Sequence, residues 1–120
     1  MNLEQHLARQ LAFSAATFGP GQRMEGVLDH LTKEIEEVRE SNGSADEWVD
    51  LVILSLDGLL RQIKFCLDDN SMVETPYNTV VAKTACMMIE GKQNRNENRT
   101  WPDWRTADPN KAIEHDRSKD

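Results

Sequence analysis

The sequence predicts an all-α fold, a small bundle of about four main helices followed by a C-terminal tail. Three observations carry that prediction. Apolar residues recur every three to four positions through most of the chain, as on one face of a helix. No segment alternates apolar and polar residues at period two, the mark of a half-buried strand. Glycine, proline and Ser/Asn clusters fall between the periodic stretches, where helices stop. At 120 residues the chain is long enough to bury a core. A single domain over residues 1–120 is expected, with about 106–120 as a tail holding a short helix.

The first helix spans residues 2–17, where Leu3, Leu7 and Leu11 stand four apart with Ala8, Ala12 and Ala15 beside them. Phe18-Gly19-Pro20-Gly21 ends it. The second helix runs from about Gln22 to Glu40, with Leu28, Leu31, Ile35 and Val38 as its apolar face and His30, Glu34 and Glu37 in the row beside it. Ser41-Asn42-Gly43-Ser44 is a turn. The third helix extends from about Ala45 to Cys66. Its apolar residues, Val49, Leu51, Val52, Ile53, Leu56, Leu59 and Leu60, cover most of the circumference, as in a helix buried in a core. Residues 67–71 are polar and read as a loop. Thr75-Pro76 offers an N-cap followed by proline at the first helical position. Tyr77, Val80, Val81, Thr84 and Met88 continue as the stripe of a fourth helix. Asp108-Pro109 can cap a last short helix, and the chain is expected to fray from Asp116.

Net charge and composition exclude several classes. A formal charge of −7 and a pI near 4.9 argue against a broad basic surface for nucleic acid or anionic membrane. No apolar run approaches the length of a membrane span, and the N-terminus lacks the apolar core of a signal peptide. Cys66 and Cys86 follow no C-x-x-C spacing and read as buried thiols of a reducing compartment. A cytosolic, or host-cytosolic, protein is expected.

The chemistry centres on residues 31–57. Glu34 and Glu37 are three apart on the second helix, and Glu47 and Asp50 three apart on the third, so each pair shares a face. If the turn folds these helices together, four carboxylates converge on one volume. A cation must then sit between them, and all-oxygen ligation suits Mg²⁺ or Mn²⁺. The plainer alternatives are a solvated acidic face and, for Glu47, a capping box with Ser44. The surroundings favour the metal: Glu47, Asp50, Asp57 and Arg61 form one polar stripe on an otherwise apolar helix, and acids are seldom buried unpaired. A lined cavity explains such a stripe better than solvent does. Asp57 and His30 are candidate substrate-binding residues.

Lys92, Asn96 and Arg99 stand at i, i+4 and i+7 and would share one helical face suited to phosphate oxygens. A solvated helix end explains them as well. Trp101 and Trp104 follow in Trp-Pro-Asp-Trp-Arg, able either to pack on the bundle or to stack on a base. Walker and Rossmann glycine motifs are absent. No E-x-x-H accompanies the acids, which argues against a di-iron bundle.

These residues resemble the all-α nucleotide pyrophosphohydrolases of the MazG type, and within them the dATP/dGTP pyrophosphohydrolase branch common in bacteriophages and prophages. The resemblance lies in E-x-x-E followed by E-x-x-D on consecutive helices, in FGPGQR (18–23), GVLDH (26–30), KEIEE (33–37) and EWVDLVILSLDG (47–58), and above all in NENRTWPDWRTADPNKAIEH (96–115). It implies that Glu34, Glu37, Glu47 and Asp50 hold magnesium, and that Lys92, Asn96 and Arg99 contact phosphate or sugar. It also implies a purine deoxynucleoside triphosphate as substrate, with Trp101 as a stacking or wall residue, and a homodimer or homotetramer. The segment 62–82 is longer than the family's usual link. The implied chemistry is metal-assisted hydrolysis to a monophosphate and pyrophosphate, with Glu37 orienting or deprotonating the water. Two rivals stand beside it: a pyrophosphohydrolase selective for dUTP or dCTP, and a non-enzymatic acidic module that binds another protein.

Overall fold

In the computed structural model, residues 1–67 and 74–119 are described, of 74–76 and 119 the backbone alone. Four helices follow one another: α1 (Leu3–Phe18), α2 (Met24–Glu40), α3 (Ala45–Leu67) and α4 (Glu74–Glu97). Short 3-10 turns occupy Trp104–Thr106 and Arg117–Lys119. No strand occurs among the described residues, so the chain is all-α. No described helix is long and apolar enough to cross a membrane. The loop expected over 67–71 lies, from residue 68 on, outside the described residues.

Local chemistry sets the helix ends. Asn2 caps α1 through a reciprocal box: its side chain accepts from the Gln5 N–H, and the Gln5 side chain accepts from the Asn2 N–H. Helix α2 begins at Met24 rather than at Gln22, because Arg23 takes a left-handed conformation at φ 45°. Its C-terminus closes as a Schellman motif. The Gly43 N–H donates to Val38 O at 2.8 Å while Asn42 and Gly43 both hold positive φ. That four-residue turn reverses the chain and brings α3 back along α2.

Contacts group the chain into two compact units, Met1–Cys86 and Met87–Asp120. The division falls inside α4 because the helix changes character there. Val81, Ala82 and Ala85 are fully buried, whereas Met87, Met88 and Ile89 are exposed. In the first unit the core joins Leu7 and Leu11 of α1, Leu60 and Ile63 of α3, and Val81, Ala82 and Ala85 of α4. The Tyr77 hydroxyl donates to Lys64 O at 3.0 Å, tying the start of α4 to the end of α3. In α3 the expectation of a wholly buried helix fails on one side. Trp48, Val49, Val52 and Ile53 are exposed.

The second unit is organised around Trp101. Its Nε1 donates to Asn96 O at 2.7 Å, and its ring meets His115 edge-on with centroids 5.5 Å apart. Asp116 N donates to Thr100 O at 2.7 Å. Asp116, expected to begin a frayed end, is thus itself held to Thr100. The helix expected after Asp108-Pro109 is a single turn, because the Asp108 carboxylate takes the Asn110 N–H and Asp108 O the Lys111 N–H.

Candidate active site

Glu34 on α2 and Glu47 and Asp50 on α3 bring carboxylate oxygens within 4.8 Å of one another. The helical hairpin is what makes this possible, since it sets the last turns of α2 beside the first turns of α3. Glu34 and Glu47 are half-buried and Asp50 is exposed. The Glu47 carboxyl is pushed above the usual carboxylate range, first by partial loss of water and then by the charges of Asp50, Glu37, Glu34 and Asp46. Asp46 was not legible as part of this field, because its spacing places it off the acidic stripe.

Glu37 stands differently from the other three. Its carboxylate lies outside the group of mutually close oxygens, although its charge acts on Glu47. It is exposed at the last turns of α2. The alternative role for Glu47, a capping box with Ser44, is not what the structure holds. The Ser44 N–H donates instead to Ser41 Oγ at 3.1 Å, which leaves the Glu47 carboxylate to the acidic group. His30, one turn before Glu34, sets its Nε2 3.4 Å from Glu34 Oε1.

Asp57, expected on the substrate side, is buried, and both its oxygens take the Arg61 Nε–H at 3.1 and 3.2 Å. Arg61, also buried, donates through Nη1 to Gly19 O and Gly21 O and through Nη2 to Ser14 O and Oγ. Gly19 and Gly21 reach that guanidinium with φ of 92° and 93°, a conformation side chains disfavour. The lower half of the polar stripe on α3 is thus a structural clamp on the α1–α2 link. Cys66, read as a buried thiol, is exposed, and its Sγ accepts from Gln62 Nε2.

In the second unit, α4 ends at Glu97, so Arg99 is not on a third helical turn with Lys92 and Asn96. It reaches Asn96 all the same, with Nη1 donating to Asn96 Oδ1 at 2.9 Å. Lys92 is exposed. Trp104 is 70% exposed with the Arg105 guanidinium over its ring.

A family model described as dATP/dGTP pyrophosphohydrolase matches residues 7–120. The chain belongs to the dATP/dGTP pyrophosphohydrolase family. No curated protein and no solved structure matches it. As a dATP/dGTP pyrophosphohydrolase it is an enzyme acting on a small nucleotide substrate, consistent with the MazG-like pattern of its acids. Membership sets aside the reading as a non-enzymatic interaction module. For a dATP/dGTP pyrophosphohydrolase the acidic group on α2 and α3 has the donor chemistry of a divalent-cation site.

Proposed function

We propose that the chain hydrolyses dGTP and dATP to the monophosphate and pyrophosphate in a magnesium-dependent reaction, with manganese able to substitute. One observation carries the reading: Glu34, Glu47 and Asp50, from two helices, bring ligand atoms within 4.8 Å in a protein of this family. The donors are all carboxylate oxygens, which fits a hard divalent cation. The Glu47 carboxyl is raised first by partial loss of water and then by the neighbouring acids, and a cation between them relieves the second effect. When bound, such an ion supplies charge neutralisation at phosphate oxygens and lowers the pKa of water.

The chain's own residues do the rest. Glu34, Glu47 and Asp50 fix where the triphosphate sits. Glu37, exposed and outside the close group, is free to swing in as a fourth ligand or to accept the proton of the attacking water. His30 holds Glu34 in register. Lys92, Asn96 and Arg99 contact phosphate or sugar, the two cations stabilising charge on the departing pyrophosphate. Trp101 serves as a wall residue. The exposed apolar residues of α3 are covered in a homodimer or homotetramer, since four large side chains in a row suit a second copy better than water.

The test is a panel of nucleoside triphosphates incubated with Mg²⁺, with products resolved by chromatography. Monophosphate and pyrophosphate, formed fastest from dGTP and dATP, are expected. Nucleoside diphosphate and orthophosphate would overturn the cleavage position. Equal turnover of dCTP and dUTP would overturn the purine preference.

A further inference from the structure

An apolar cavity of about 440 Å³ opens between α2 and α3. Val27, Leu28 and Leu31 line it from α2, Leu54 and Leu59 from α3. Gln22, Ser55 and Gln62 also line it. The cavity and the acidic group share one helix pair. Leu31 stands about one helical turn before Glu34 and Leu54 about one turn after Asp50. The cavity therefore begins beside the carboxylates and runs away from them along the hairpin. At its far end Gln22 Nε2 donates to Gln62 Oε1. Gln62 Nε2 donates in turn to Cys66 Sγ.

We propose that this cavity takes the purine base of the substrate and that the Gln22–Gln62 amide pair reads its six-membered edge. The inference rests on the purine deoxynucleotide reading above. Apolar walls with a few convergent polar groups are what a flat heterocycle needs. The amides explain how one cavity serves both purines. Adenine presents an amino donor beside the acceptor N1, whereas guanine presents a carbonyl acceptor beside the donor N1–H. The two edges are inverses of one another. A carboxamide carries one donor face and one acceptor face, and a half-turn of its broad terminal torsion exchanges them. A pyrimidine has the same polar pattern but is one ring shorter, so it falls short of the amides and forgoes the hydrogen bonds that a purine makes there.

Three variants test this. Ser55→Phe fills the cavity, while Gln62→Glu and Gln22→Glu each replace one amide of the pair by a carboxylate, which only accepts. Saturation-transfer NMR on the metal-free full chain, with deoxyguanosine and deoxyadenosine as probes, reads base binding without phosphate or turnover. The wild type is expected to bind both nucleosides and Ser55→Phe neither. A carboxylate accepts from guanine N1–H and its amino group but faces adenine N1 acceptor to acceptor. At least one glutamate variant should therefore raise the dGTP-to-dATP ratio of kcat/KM by about tenfold or more. These polar, solvent-reaching positions decide the matter if Ser55→Phe does not fold. No nucleoside signal from the wild type, equal binding by a folded Ser55→Phe, or an unchanged ratio in both glutamate variants would overturn the proposal. A cavity that instead takes a side chain of a second copy would show as loss of assembly mass in Ser55→Phe with nucleoside binding intact, which also overturns it. Nucleoside binding by a wild type that turns over no triphosphate overturns the proposed reaction and supports the cavity.

Discussion

Arg61 Nε lies 3.1 Å from Asp57 Oδ1, one helical turn away on α3, and both side chains are buried. The remaining nitrogens of Arg61 hold the carbonyls of Ser14, Gly19 and Gly21. Removing one partner strands the other charge in the core. Arg61→Met is expected to cost about 3–5 kcal/mol of stability, measured by urea unfolding. The double variant Asp57→Leu with Arg61→Met should cost less than the single one, because no unpaired charge remains. A double variant as damaged as the single would show that the carbonyl bonds, not the ion pair, carry the effect.

Turnover should depend on the acids individually. Asp50→Ala and Glu37→Ala are each expected to abolish measurable pyrophosphate release while far-UV circular dichroism stays native, since both positions are exposed. Near-normal turnover in both would refute their assignment.

The raised Glu47 carboxyl has a definite pH consequence. An acid whose pKa rises on folding binds its proton more tightly in the folded chain. Its contribution is present below the unfolded pKa and is lost as pH rises through the folded value. Metal-free protein should therefore lose thermal stability as pH rises through the carboxylate range, and Glu47→Gln should flatten that slope. Magnesium at about a hundred times its Kd should restore about 2.7 kcal/mol to the wild type and less to the variant. Identical melting profiles for the two would count against a shared field.

Assembly is testable through Val52, which is 54% exposed among Trp48, Val49 and Ile53. Light scattering at micromolar concentration should give a dimer or tetramer mass for the wild type and a monomer mass for Val52→Glu. A monomeric wild type would contradict the assembly.

Much of this fold is legible in the sequence because its boundaries are made by local chemistry. The Ser41–Ser44 turn and the start of α3 at Ala45 follow from residues within a few positions of one another. The convergence of Glu34, Glu47 and Asp50 follows from the same turn. The clamp was not legible as such. An acid and an arginine four apart look alike whether they line a cavity or hold a loop. The deciding fact is that residues 19–21, about 40 positions away, bring two carbonyls to the guanidinium. One signal was available: an opposite-charge pair at i, i+4 inside an apolar sweep is itself the pairing that permits burial. Arg99 shows the opposite failure. Its spacing fits a helix, but the chain leaves helical geometry after Glu97, and Pro102 holds the residue before it extended.

The turn between α2 and α3 also sets an order of events as the chain folds. Contacts close in sequence form first, since short loops lose less entropy on closing. A helical hairpin closed by Asn42 and Gly43 can thus gather its carboxylates before α1 and α4 have completed the core around Leu60 and Val81. Mutual repulsion among the acids then falls on an early step, and it slows collapse wherever that step lies in the nucleus. Divalent cations present during synthesis would then act as a folding aid, so refolding from denaturant should run faster in magnesium than in a chelator.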